Sequence, residues 1–147
     1  LQYQHKSLLG ILDGLSDAQI MKQPNPGKWS IFENIVHLQT YQHTFMVRVR
    51  RILEEECLSF SPYTAEADPL FHDNCAKSSR EIMQDLLSTR KELSSGIISF
   101  KETDLEREAQ HSAYGKMNLV QWLNFFLLHE AYHLFTIFKM GAALKKS

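Results

Sequence analysis

The chain has 147 residues, enough for one domain built around a single hydrophobic core. It is 44% hydrophobic and 22% charged with a formal net charge of −1, an ordinary composition for a soluble globular protein. No basic block is present, which argues against nucleic-acid binding and against an anionic membrane surface. Cys57 and Cys75 form no C-x-x-C pair, and two thiols at this length suit a reducing cytoplasm better than a disulfide scaffold.

Helical signals recur along the chain and strand signals are nearly absent. The first helix is expected over about residues 2–13, with Leu1, Leu8, Leu12 and Leu15 on one side and Gly14 as its stop. Ser16-x-x-Gln19 forms a capping box for a short helical turn. Pro24-Asn25-Pro26-Gly27 then breaks the chain. A second helix starts cleanly at the capping box Ser30-x-x-Glu33 and runs to about Glu56, with Ile31, Ile35, Leu38, Tyr41, Phe45 and Ile52 on its apolar side and Arg48, Arg50, Arg51 and Glu54 to Glu56 at wet positions. Residues 57–77 read as a structureless connection with Pro62 and Pro69, of a length typical of a crossover or lid. Its aromatics Phe60, Tyr63 and Phe71 are expected to cover the bundle or line a pocket mouth.

Ser78-x-x-Glu81 caps the third helix, whose stripe is Ile82, Leu86, Arg90, Leu93 and Ile97. Residues 100–117 form a second connection with Gly115 as a turn. The fourth helix runs from Asn118, which caps with Gln121, to Met140, and Gly141 ends it. The expected fold is all-α: a four-helix bundle in one domain, 1–147, with long crossover connections in place of an up-down-up-down hairpin arrangement. The fourth helix is apolar but carries Gln121, Asn124, His129, Glu130, His133 and Lys139, so it reads as a buried helix and not a membrane span.

The chemistry concentrates in His129-Glu130-Ala131-Tyr132-His133. Histidines four apart lie one above the other on a helix, about 5–6 Å between Cβ atoms. Both imidazoles can reach one metal ion at about 2.0–2.1 Å. They lie on the apolar stripe Leu119, Trp122, Phe126, His129, His133, Ile137, Met140, where unpaired imidazoles are costly. The competing reading is that neighbouring side chains satisfy both rings. His37, near the apolar side of the second helix, is the candidate third ligand, because bundle cores build metal sites from facing helices. His5 sits near the chain's start, His43 falls among polar positions, and His72 and His111 fall in the connections, where solvated histidines are the rule. The string also matches the zinc-protease pattern H-E-x-x-H. However, Thr136 and Lys139 stand where metzincins place Gly and His, and only 14 residues follow His133.

Arg90 and Glu130 are the candidate catalytic residues. Arg90 sits mid-stripe, where a guanidinium needs a partner. Pairing with Glu130 or Glu33 is its structural role, and binding an anionic substrate group its functional one. Glu33 can orient His37 from one turn away or serve only as the capping-box carboxylate. Trp29 and Tyr41 are read as packing residues. Three imidazoles suit zinc, nickel, iron or copper; zinc or nickel is the expected ion, with iron or manganese next.

Gly14-Leu15-Ser16-Asp17, Pro26-Gly27-Lys28-Trp29-Ser30-Ile31-x-Glu33, Val36-His37-Leu38, Thr89-Arg90-Lys91-Glu92-Leu93, His111 with Gly115, and His129-Glu130-x-x-His133 occur in an order that resembles the DinB-like superfamily of YfiT-like metal-dependent hydrolases. The resemblance spans nearly the whole chain. It implies a four-helix bundle with crossover connectivity, a homodimer, and a divalent metal on His37, His129 and His133. It also implies relatives that are thiol-dependent S-transferases and isomerases using bacillithiol, mycothiol or glutathione. The leading expectation is a metal-dependent thiol transferase or hydrolase acting on a small electrophilic substrate. The alternative is a non-catalytic metal-binding or stress-related interaction module.

Overall fold

The structure, a computed structural model, describes residues 3–146. The expected helix start at residue 2 and the stripe residue Leu1 lie outside the described residues. A 3₁₀ turn over Gln4–Lys6 leads into α1 (Ser7–Leu12). Gly14 takes φ +77°, a left-handed conformation that a Cβ would strain. The Ser16–Gln19 capping box opens α2 (Asp17–Met21). The Ser30–Glu33 box opens α3 (Ile31–Glu54): the Ser30 N–H donates to Glu33 Oε2 at 2.6 Å and the Glu33 N–H to Ser30 Oγ at 3.0 Å. Glu33 also accepts from Gln23 at 3.1 Å, so its carboxylate serves the cap and not His37.

The connection over 57–77 is not structureless. It carries β1 (Ser59–Phe60), a 3₁₀ turn (Ala65–Ala67) and α4 (Pro69–Cys75). Pro69 sits in the first turn of α4, where its missing N–H costs nothing, and Asp68 caps it. Ser78 and Glu81 close the box that starts α5 (Ser79–Ile98). The second connection holds α6 (Glu102–Leu105), β2 (Glu108–His111) and β3 (Gly115–Asn118). The three strands form one sheet, β1 parallel to β2 and β2 antiparallel to β3. β2 alternates outward and inward, burying Ala109 and His111. Asn118 then caps α7 (Leu119–Leu144).

Helix direction follows from which residues meet. Gln4 donates to the Leu127 carbonyl and Lys145 to that of Ile11, so α1 and α7 run parallel. His133 meets Asn34 and Phe126 stacks on Phe45, so α3 and α7 are antiparallel. Gln39 meets Thr89, and Leu53 shares a cleft with Ile97, so α3 and α5 run the same way. The order is therefore up, down, down, up. α3 has 24 residues and spans about 36 Å, and the chain between α3 and α5 must travel back along that length. A short hairpin loop cannot do this, which accounts for the long first connection.

The core has two parts. Leu8, Ile35, Leu38, Ile82 and Ile137 centre one, and Phe45, Ile52, Trp122 and Phe126 the other. Along α7 His129 and His133 fall between them, and on α3 His37 lies at the edge of the first, between Val36 and Leu38. α7 does not stop at Gly141, because that glycine is a contact surface and not a cap. A Cβ on it would meet Leu15 Cδ1 at 3.4 Å and the Ile11 carbonyl oxygen at 3.6 Å. Gly141→Ala fits that spacing and removes a helix-interior glycine, so urea unfolding should show a gain of about 0.5–1 kcal/mol. Gly141→Ile should instead lower stability by about 1–3 kcal/mol by forcing α1 away.

Candidate metal centre

α3 brings His37 and α7 brings His129 and His133 to one point. One ring nitrogen from each lies within 4.8 Å of the others. The two Nε2 atoms of His37 and His129 are 2.9 Å apart, and the three ring centroids are separated by 4.9, 4.4 and 4.7 Å. Aromatic rings wall the cluster. Trp29 lies 5.0 Å from His37, Tyr63 5.6 Å from it, and Tyr41 4.2 Å from His129.

Hydrogen bonding fixes the His133 tautomer. The Asn34 side-chain N–H donates to the Ser30 carbonyl at 2.8 Å, so its oxygen faces His133 Nδ1 at 3.0 Å and accepts from it. The lone pair of His133 therefore resides on Nε2. Burial lowers the pKa of all three rings: His37 to about 2, where His133 and His129 add to the effect, His129 to about 3 with a further push from His133, and His133 to about 4. The cluster is thus neutral at pH 7, the state in which imidazoles bind metals. The Nδ1 atoms of His37 and His129 are buried without hydrogen-bond partners.

The sequence pattern of the DinB superfamily matches residues 1–137. The chain belongs to the DinB superfamily. It is 30% identical over 138 residues to the uncharacterized protein YuaE of Bacillus subtilis (strain 168), covering 84% of this chain and 83% of that one. The solved structure of YfiT from Bacillus subtilis, described as a probable metal-dependent hydrolase with an unusual four-helix bundle topology, superposes with a TM-score of 0.83. That match covers 98% of this chain and 83% of YfiT at 16% identity, and it shows the shared fold.

In this DinB-superfamily chain Glu130 adjoins the cluster in sequence but not in space. Arg90 (2% exposed) and Glu130 (1% exposed) pair through both guanidinium nitrogens, with Nη1 to Oε2 at 3.1 Å. Arg90 Nε donates to Gln42 at 2.6 Å, and its guanidinium lies 5.2 Å over Phe126. The pair joins α5, α3 and α7, and neither residue lines a cavity at the cluster.

Two cavities reach the histidines and share no lining residue. One, of about 530 Å³, is lined by Lys28, Trp29, Asn34, Tyr132, His133 and Lys139. The other, of about 190 Å³, is lined by Tyr41, Arg48, Tyr63, His111, Tyr114 and His129. Tyr63 is therefore a cavity wall, as is Tyr41 beyond its packing role. Phe60 packs against Trp122 and Phe71 against Trp29.

The other histidines divide sharply. His5 is buried outside the cluster, and His43 is exposed beside Gln39 at 2.9 Å. His72 is on α4 and donates to the Glu66 carbonyl. His111 corrects the expectation of a solvated loop residue: it is 2% exposed on β2, among Tyr114, Trp122 and Phe125. Arg48, read as a wet position, is 8% exposed and is the second missed residue. The match of His111 with Gly115 to the superfamily pattern was the available signal for His111; no local pattern marks Arg48.

Glu130→Leu leaves Arg90 buried without its counter-charge and should cost about 3–5 kcal/mol in urea unfolding. Arg90→Met/Glu130→Leu should recover most of that loss, and failure to recover it would contradict a purely structural pair.

Proposed function

We propose that His37, His129 and His133 hold one divalent metal ion, zinc or nickel first, and that the protein is a metal-dependent enzyme acting on a small electrophilic substrate. The observation that carries this is three neutral imidazoles, from two helices, with ring nitrogens inside 4.8 Å. The donor set fits such an ion: it is all nitrogen, it is uncharged at pH 7, and Asn34 turns the lone pair of His133 inward. An ion there supplies Lewis-acid activation, drawing a proton from water or from a thiol near neutral pH. The protein's own groups do the rest. Asn34 and Ser30 orient His133, Trp29 and Tyr41 exclude water, and the cavities admit reactants beside His133 and His129.

Hydrolysis needs one organic reactant, and thiol transfer needs two. The description of YfiT supports hydrolysis. The two separate cavities support thiol transfer, with the larger one, whose lining has two lysines, Lys28 and Lys139, against one carboxylate, Glu66, suited to an anionic low-molecular-weight thiol. Elemental analysis of untagged protein should give about one divalent ion per chain, absent from His129→Ala/His133→Ala. Asn34→Ala should weaken binding of the ion by about 10–100-fold with the fold intact. The loaded protein should then hydrolyse activated esters or consume a thiol in the presence of an epoxide. No ion in the wild type after soaking with zinc, nickel and iron(II) would sink this reading and leave a non-catalytic module.

The outer face of α7 exposes Leu128, Tyr132, Phe135 and Phe138 at helical spacing. Such a row supports a homodimer through this face. Sedimentation should show a dimer that Phe135→Lys/Phe138→Glu converts to monomer, and a monomeric wild type would exclude it.

A further inference from the structure

The smaller cavity contains a charge with no counter-charge. Arg48 reaches it from α3 after packing its guanidinium 5.3 Å from Phe60 and 5.9 Å from Trp122. Its Nη2 donates to the Ser61 carbonyl at 2.7 Å, while Nη1 is buried without a partner. No carboxylate pairs with Arg48 among the described residues, and no Asp or Glu lines this cavity. The contrast with Arg90 is informative. That arginine, also buried, has Glu130 and Gln42. A buried guanidinium with a free N–H and no anion is costly unless something else supplies the negative charge.

The other polar groups around the cavity are also donors. His111 Nδ1 accepts the Ala113 N–H at 3.1 Å, so the neutral ring carries its proton on Nε2. Burial, with Arg48 nearby, holds the His111 pKa below the usual histidine value and keeps that ring neutral. Tyr41 also lines the cavity, and a tyrosine hydroxyl is a donor. Tyr63 gives its hydroxyl proton to Asp68 at 2.9 Å and presents its ring. The rest of the wall is Pro62, Ala113, Tyr114, Phe125 and the cluster residue His129. A cavity of about 190 Å³ has room for roughly six water volumes, the size of one small ring with a substituent.

We propose that this cavity receives the carboxylate of a small aromatic or similarly flat substrate, with Arg48 as the anion-binding residue and the His111 Nε2–H as a second donor. Under the metal-enzyme reading, on which the substrate role of this site rests, the acid is held beside His129 with its reactive part toward the three histidines. A flat substrate suits a wall made largely of ring faces and edges, Tyr41, Tyr63, His111, Tyr114 and Phe125. The guanidinium N–H groups match two oxygens of one anionic group, and with Arg48 as the only Lys or Arg in the lining a singly charged carboxylate is matched better than a phosphate.

The test uses metal-free and zinc-loaded full-length protein, titrated calorimetrically with benzoate, benzamide and phenyl phosphate. Benzoate should bind metal-free wild type at least about tenfold more tightly than benzamide and shift the Arg48 guanidinium resonance in NMR spectra. Arg48→Gln should bring the two ligands within about twofold, with zinc stoichiometry unchanged. If Arg48→Gln fails to fold, Arg48→Lys keeps the charge and stem but loses the fork, and should still reduce the preference. Equal binding of benzoate and benzamide to wild type, or a preference that survives both variants, overturns the proposal. Phenyl phosphate binding more tightly than benzoate overturns the choice of a carboxylate. Because the titration is read without metal, a chain that binds benzoate through Arg48 but no zinc refutes the metal centre alone. A chain that binds zinc but not benzoate refutes this site alone.

Discussion

Glu130 and His129 point about 100° apart around α7, and this angle decides what the buried ion pair accomplishes. Arg90 holds Glu130 toward α5 and Gln42 of α3, so α7 cannot rotate without breaking charge-assisted hydrogen bonds in a dry environment. With α7 held in that rotation, His129 and His133 face His37. The pair is thus a positioning device for the cluster, acting through the rotation of α7. A hydrophobic replacement can match its stability, but gives less control over rotation, because methyl groups pack in several orientations and a forked pair in one.

The start of α3 serves the site in the same indirect way. Ser30 closes the capping box with Glu33, and its carbonyl also orients Asn34, which fixes the tautomer of His133. Helix initiation and ligand orientation therefore share one residue. A lesion at the cap would be felt at the cluster, one turn further along and across to α7.

The long helices were legible because each signals itself locally. Capping boxes at Ser30, Ser78 and Asn118 mark starts, and apolar stripes mark the buried faces. The three histidines were legible for the same reason, as polar residues on apolar stripes. What escaped lies where structure depends on distant partners. β2 is four residues long with one apolar side chain, and it exists because β1 and β3 pair with it. Gly141 looks like a terminator until α1 is seen against it. Arg48 sits beside Arg50 and Arg51, where charge suggests solvent, yet Phe60 and Trp122 come from other segments to cover it.

The two long connections have a consequence for how this architecture can change. The three histidines stand on α3 and α7, but much of the wall of the smaller cavity, Tyr63, His111 and Tyr114, comes from the connections. Those segments are anchored by backbone pairing in the small sheet and by the Arg107 side chain, which donates to the carbonyls of Ile52 and Glu55 at the end of α3. The histidine cluster and much of the cavity wall beside it are therefore separable parts. Substitutions in 59–67 or 111–114 can reshape that cavity while the helices keep the cluster intact, so the wall can vary without rebuilding the core.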